Sequence, residues 1–112
     1  MRGDSVKQPL NGIRIADFSH VMAGPFASHL LRLMGAEVIK TEPKSGNQFR
    51  NYSPDTAFAG MSPPFIAANV GKKSIALDLK DPADVAVAQA IVERSDVMSE
   101  NVRPGVSARL GL

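Results

Sequence analysis

The chain has 112 residues, of which 44% are hydrophobic and 21% charged, and its formal net charge is +2. This length allows one domain at most, and this balance of residues is that of a globular protein. The positive excess is small, and only one Tyr and no Trp are available for base stacking, so we expect no nucleic-acid partner.

The chain contains no Cys, which removes disulfides, thiolate metal ligands and a thiolate nucleophile together. The polar segment 1–9 lacks the apolar core of a signal peptide, and no apolar run approaches ~20 residues. We therefore expect a cytoplasmic protein without a membrane partner. Residues 1–8 are expected to be a flexible lead-in to a domain over residues 9–112.

The first strand and helix are predicted from apolar periodicity and turn chemistry. Residues 13–18 form a short apolar run bounded by polar residues, which is typical of a buried strand. A helix is predicted from about Gly24, because Pro25 suits a first helical position and Gly35 suits the end. Four apolar residues recur at helical spacing and give this helix one apolar face: Phe26, Leu30, Leu33 and Met34.

The next two segments differ in pattern. Residues 37–42 are a predicted strand, so the strand–helix–strand unit is about 30 residues long, as a right-handed βαβ crossover requires. Residues 43–70 contain several Gly and Pro residues without sustained periodicity. They predict a long loop, and loops of this length are normally functional or disordered.

The second half of the chain repeats the alternation of strand and helix. Residues 74–79 and 96–100 are predicted strands, and the helix between them begins with Asp81 as N-cap and Pro82 at its first position. A last helical turn follows Pro104. The order β-α-β-loop-β-α-β-α predicts an α/β fold with a parallel sheet and flanking helices. Four side chains of the 81–95 helix are expected to face inward: Val85, Ala88, Ile91 and Val92.

Three predicted strands lead into polar residues suited to an anionic ligand: His20, Lys80 and Asn101. Ligands of open α/β sheets bind outside the carboxyl ends of the strands, so we expect these residues to lie along one rim. His20 is either a donor beside a phosphate at the following helix or a packing histidine in a turn. Asn101 either recognises an amide or a nucleotide, or caps the turn before Pro104.

Other polar residues carry weaker signals. His29 lies inside the predicted helix, and two histidines on different elements do not make a metal site, so no metal is expected. Glu42 stands where an acid holds a ribose in dinucleotide-binding folds, but the G-x-G-x-x-G fingerprint is absent. Lys72 and Lys73 are interpreted as a solvated turn. Three carboxylates inside strands are either tuned bases or partners of nearby cations: Asp17, Asp78 and Glu100.

Several stretches carry a family resemblance: PLNGIRIADF (9–18), AGP (23–25), LMGAEVIK (33–40), NVGKKSIALDLK (69–80), SDVMSENVRPG (95–105) and RLGL (109–112). In this order they resemble the N-terminal part of the family III CoA-transferases, which include formyl-CoA transferase, carnitine CoA-transferase and the α-methylacyl-CoA racemases. The resemblance implies a Rossmann-like domain that binds coenzyme A, with acyl-CoA and carboxylic acid substrates.

The resemblance also implies individual CoA contacts. By family pattern these are His20 and Ala23 near the pantetheine and adenine, Leu77 and Lys80 around the adenine and phosphates, Asn101 and Val102 at the nucleotide, and Arg109 at a phosphate. Two positions depart from the pattern. Met22 stands where some transferases carry a polar residue, and Pro43 stands where formyl-CoA transferases carry a basic one, so one phosphate contact is expected to be missing.

In this family the catalytic group is an Asp that lies some tens of residues beyond the RLGL motif, and the enzymes form interlocked homodimers. The resemblance therefore implies that no catalytic residue lies within this chain, which we expect to be a fragment or a truncated reading frame. The function implied is the CoA-binding portion of an enzyme that transfers CoA between carboxylic acids through an aspartyl intermediate. The alternatives are a fragment of an α-methylacyl-CoA racemase and a non-catalytic CoA- or nucleotide-binding module.

Overall fold

Four short strands form one parallel sheet in the computed structural model, which describes residues 7–55, 57 and 59–112. Their order across the sheet is β3-β2-β1-β4, with every described pair parallel. The prediction of one parallel sheet within an α/β fold is confirmed. The predicted lead-in over residues 1–8 lies mostly outside the described residues. The strands are β1 (Arg14–Asp17), β2 (Glu37–Glu42), β3 (Lys73–Ala76) and β4 (Val97–Ser99).

The strand β3 ends earlier than the sequence predicts. The apolar run reaches Leu79, but the strand stops at Ala76, and residues 79–80 form a turn. The ladder ends because Ala76 is paired with Glu42, the last residue of β2. Lys80 consequently lies in the turn after the strand.

The helices flank the sheet and follow the predicted order. They are α1 (Ala23–Leu33), α2 (Pro63–Asn69), α3 (Pro82–Glu93) and α4 (Val106–Arg109), with a 3-10 helix over Gln48–Asn51. The predicted cap of α3 is confirmed, since the Asp81 side chain accepts a hydrogen bond from the Ala83 N–H at 3.0 Å. None of these helices, in the part of the chain the structure describes, is long and apolar enough to cross a membrane.

The prediction of an irregular loop over residues 43–70 is wrong for α2. The two prolines that break the sequence pattern stand at the first two positions of this helix, where a missing N–H does no harm. Ser62 caps the helix by accepting a hydrogen bond from the Phe65 N–H at 3.3 Å. Phe65 and Ala68 are buried, so tertiary packing stabilises a helix too short to show periodicity.

The two faces of the sheet carry separate apolar clusters. Because side chains alternate along a strand, Ile15 and Val38 pack on one face with Leu31 of α1. On the other face, Ala16 packs against Ala88 of α3. The strand residues Ile15, Val38 and Ala16 and the α3 residue Ala88 are each at most 1% exposed. Leu31 of α1 is partly buried. The sheet is thus covered by α1 on one face and α3 on the other.

The four residues of the apolar face predicted for α1 are exposed in the structure. Phe26 is 48% exposed and Leu33 is 54% exposed, and Leu30 and Met34 are exposed as well. Besides Leu31, α1 turns Ser28 to the sheet, and Ser28 is 1% exposed and donates to Asp17 at 2.6 Å. A buried carboxylate needs hydrogen-bond donors, and this requirement outweighs the hydrophobic stripe in setting the rotation of the helix.

We expect Val38→Ala to lower the free energy of unfolding by about 2 kcal/mol, since it removes two buried methyl groups and leaves a cavity. Val38 is 1% exposed, whereas Val87 on α3 is 41% exposed. The control Val87→Ala makes the same chemical change and should stay within about 0.5 kcal/mol of the parent. Urea unfolding followed by circular dichroism measures both, and equal effects would contradict this packing.

Candidate functional site

A cavity of about 450 Å³ opens at the carboxyl edge of the sheet. Its floor consists of side chains on the α3 face of the sheet: Phe18, Thr41, Leu77 and Met98. Residues of the α4 region form one wall, including Leu110 and Leu112. The volume and the mainly apolar lining are those of a small-molecule site. We call it the first cavity.

Charged residues stand at the mouth of the first cavity. Lys44, from the segment after β2, and Lys80, from the turn after β3, both line it. Lys44 pairs with Asp84 of α3 at 3.2 Å. The Asp78 N–H also donates to Asp84, and these contacts together lower the pKa of the Asp84 carboxyl. Two lysines on neighbouring loops supply the charge that a phosphorylated ligand needs.

Asn101 joins the loops that follow β1 and β4. Its side chain accepts a hydrogen bond from the His20 N–H and donates one to the His20 carbonyl, both at 2.9 Å. Gly24 allows this close approach, since a Cβ there would lie 3.2 Å from Asn101 Cγ. Burial, with a contribution from Lys40, lowers the pKa of His20. This shift favours the neutral form of the His20 imidazole at the cavity wall.

The structure brings four of the seven sequence-predicted contacts together in the first cavity: His20, Leu77, Lys80 and Val102. The other three do not line it. Ala23 is exposed at the first turn of α1, and Arg109 is exposed on α4. Asn101 bonds His20 and does not cap the turn before Pro104, so it contributes by holding the His20 backbone.

Sequence reasoning missed the floor of the first cavity. Phe18, Thr41 and Met98 line it, yet each was treated only as part of an apolar run. The available signal was alternation, because every second residue of a strand lies on one face of the sheet, together with the residues paired to it on the neighbouring strands. Lys44 was also missed, although it directly follows Pro43, where the resemblance implied a lost basic residue.

The interpretation of Lys72 as part of a solvated turn is wrong. Its side chain is 1% exposed and pairs with Asp17 at 3.2 Å. The ammonium also donates to the Pro25 carbonyl at 2.8 Å and to Asn69 Oδ1 at 2.9 Å. Burial lowers the pKa of Lys72 to about 8, against the opposing attraction of Asp17. Lys73 is exposed, as predicted, and pairs with Glu37.

Asp17 is fully buried, and its carboxylate accepts hydrogen bonds from several donors. Ser19 donates from both its N–H and its hydroxyl, and Ser28 donates from its hydroxyl. Burial raises the pKa of Asp17, but the hydrogen bonds from Ser19 and Ser28 outweigh this effect and lower it overall. Asp17 was predicted to be either a tuned base or the partner of a nearby cation, and in the structure it is the partner of Lys72.

Glu42 is occupied by protein partners. Arg50 binds both carboxylate oxygens, at 2.9 and 2.8 Å, and Ser74 donates to Oε2 at 2.7 Å. The Asn47 N–H donates to Oε1 at 3.2 Å. Burial opposes ionisation, but these contacts lower the pKa of Glu42 to about 2. Glu42 anchors the segment after β2 and is not free to hold a ribose.

A parallel sheet with helices on both faces and a cavity at its carboxyl edge defines the class of open α/β domains. Within that class, the chain belongs to CoA-transferase family III, which matches residues 10–112. The resemblance derived from the sequence motifs is thereby confirmed.

Over the aligned residues, curated relatives are about two fifths identical to this chain. It is 42% identical over 106 residues to an acetyl-CoA:oxalate CoA-transferase of Acetobacter aceti, covering 94% of this chain and 27% of that protein. It is 43% identical over 110 residues to a succinyl-CoA:glutarate CoA-transferase of Mus musculus, covering 97% and 25%. The chain thus spans about a quarter of the length of these relatives.

Solved structures share the fold. A CAIB/BAIF family protein from Brucella suis superposes with a TM-score of 0.86 at 30% identity, over 95% of this chain and 29% of that one. A protein from Mycobacterium tuberculosis gives a TM-score of 0.85 at 36% identity, over 94% and 28%. Both confirm the four-stranded parallel α/β arrangement as part of a larger structure in those proteins.

We expect Glu42→Gln to destabilise the chain by about 2 kcal/mol near pH 7. The pKa of Glu42 is about 2 in the folded chain and ordinarily 4.5, so the stabilisation is present above pH 4.5 and is lost as the pH falls towards 2. The difference in the free energy of unfolding between parent and variant should therefore become smaller as the pH falls. Urea unfolding at several pH values measures it, with Glu93→Gln at the exposed end of α3 as control. A gap that stays constant between pH 7 and 3 would contradict the assignment.

Proposed function

We propose that the protein transfers CoA between carboxylic acids and that the first cavity binds the nucleotide part of CoA. Membership of CoA-transferase family III supports the reaction class. The observation that carries the binding role is the cavity itself, which combines an apolar floor with two lysines at the carboxyl edge of a parallel sheet.

The chemistry of CoA fits the two parts of the cavity. Adenine is flat and largely apolar, and it suits a floor that includes Phe18, Leu77 and Met98. The 3′-phosphate and the diphosphate are anionic and suit Lys80 and Lys44 at the mouth. Arg109 lies one residue before Leu110, which lines the cavity, and is proposed as a further phosphate contact.

His20 is proposed as the residue that guides the pantetheine arm out of the cavity. It lines the cavity wall, and Asn101 fixes its backbone from both sides. The lowered pKa keeps its ring neutral, so it can donate to or accept from an amide of the arm. Ala23 and Val102, at the first turn of α1 and after β4, complete the proposed contact set with Asn101.

The proposed reaction passes through an aspartyl intermediate. An aspartate carboxylate attacks the acyl thioester, the C–S bond breaks, and CoA leaves as the thiolate. The thiolate attacks the aspartyl carbonyl of the mixed anhydride, which forms an aspartyl thioester and frees the first acid. The second acid attacks that thioester and releases the thiolate, which then takes the new acyl group and restores the aspartate.

Asp17 does not supply this nucleophile in the proposal. Asp17 is 0% exposed, with its oxygens bound by Ser19, Ser28 and Lys72. A carboxylate that is buried and fully bonded cannot approach a thioester without breaking these contacts. The chain's part in the reaction is to bind and orient CoA. The homodimeric assembly implied by the resemblance and the cytoplasmic location expected from the composition stay predictions.

We expect Lys80→Ala to weaken CoA binding by roughly tenfold or more at moderate salt, because a charge-assisted bond to phosphate contributes about 1.5–3 kcal/mol. Isothermal titration with CoA and with 3′-dephospho-CoA measures it. The loss should be smaller for the dephospho compound if Lys80 holds the 3′-phosphate. Lys73→Ala is the matched control, since Lys73 is 71% exposed at the first position of β3, away from the cavity. Unchanged affinity of Lys80→Ala for both ligands would remove this residue from the site.

A further inference from the structure

A second cavity of about 300 Å³ lies on the opposite face of the sheet, beneath α2. Three cationic residues, Lys40, Arg50 and Lys72, line it together with apolar side chains of the α2 region, including Phe65 and Ile66. The Arg50 guanidinium stacks on the Phe65 ring, 4.2 Å from its centroid. A pocket that combines cationic and apolar side chains has the polarity of an anion with a short hydrocarbon tail.

The charges around the second cavity do not balance. Two ion pairs are formed there, Asp17 with Lys72 and Glu42 with Arg50. Lys40 is 1% exposed and belongs to none of the ion pairs among the described residues. These five groups therefore carry one positive charge in excess when all are ionised.

Lys40 also has spare hydrogen-bonding capacity. Its ammonium carries three donors, and the described structure pairs it with one acceptor, the Ser19 carbonyl at 3.0 Å. Its neighbour across the strands is Ser74, whose hydroxyl donates to Glu42 and is not paired with Lys40 among the described contacts. A buried ammonium in this state is destabilised unless an anion reaches it.

We propose that the second cavity binds the carboxylate of a small organic acid, with Lys40 as its counter-ion and the α2 side chains against its hydrocarbon chain. One negative charge neutralises the excess charge of these five groups, and one carboxylate can accept both spare donors of Lys40. The further assignment of this acid as the acceptor of CoA rests on the proposed function. Lys40 bonds Ser19, the residue before His20, so the two cavities meet at one loop.

The test is thermal unfolding of the full chain in sodium butyrate against sodium chloride at equal ionic strength, without CoA. We expect a saturable rise in Tm with butyrate, by roughly 5 °C at ten times its Kd. Butyramide, which lacks the charge, should give no rise. Titration with sodium phosphate distinguishes a carboxylate site from a general anion site. A saturable rise in Tm with phosphate or chloride that equals the rise with butyrate would overturn the proposal.

Lys40→Met should abolish the butyrate response. Its removal leaves two balanced ion pairs, so we expect the variant to fold with an unchanged or higher Tm. Lys40→Arg keeps the charge and should retain the response, and so should Lys73→Met, a control at an exposed lysine. A butyrate response that survives in Lys40→Met would overturn the proposal.

Amide NMR shifts of the parent chain give a second readout that needs no variant. Butyrate should shift the amides of residues 65–71 and leave those of 106–112 unchanged, and the reverse pattern would overturn the site. Separate titration with CoA distinguishes the two proposals. CoA binding without butyrate binding overturns only the carboxylate site, whereas butyrate binding without CoA binding overturns the role of the first cavity.

Discussion

The buried carboxylate of Asp17 is the constraint on which the surrounding structure depends. It bonds Ser19 in the loop after β1, Ser28 in α1 and Lys72 in the turn before β3. A buried charge that lost any of these donors would be strongly destabilising. Asp17 therefore holds the loop after β1, helix α1 and the turn before β3 in fixed positions relative to one another. The loop after β1 also carries His20.

The two faces of the sheet differ in polarity, and Asp17 lies on the more polar one. On the α3 face the side chains are apolar and form both a core cluster and the floor of the first cavity. On the α1 face, Asp17, Lys40 and Glu42 form a polar layer above the apolar pair Ile15 and Val38. Since neighbouring residues of β2 point to opposite faces, Lys40 lines one cavity and Thr41 the other.

Local signals in the sequence were sufficient for the strands and for the longer helices. Apolar runs and the Asp81 cap predicted β1 to β4 and α3, because these depend on neighbours within a few residues. The short α2 could not be predicted, since it shows no periodicity and its prolines resemble a break. The rotation of α1 and the burial of Lys72 depend on Asp17, which is 55 residues from Lys72, and no local pattern reports a contact at that distance.

Some features of the candidate site could likewise be predicted from local sequence, whereas others depend on contacts between residues far apart in the chain. Lys80 and His20 could be predicted because the carboxyl ends of parallel strands share one edge, and four of the seven predicted contacts line one cavity. The role of Asn101 could not, because its partner His20 is 81 residues away. Leu77 belongs both to the core cluster and to the cavity. Where floor and core are the same residues, substitutions that reshape the floor also remove core packing. His20 and Lys80 line the same cavity but lie outside the core cluster, so substitutions of these two residues do not remove that packing.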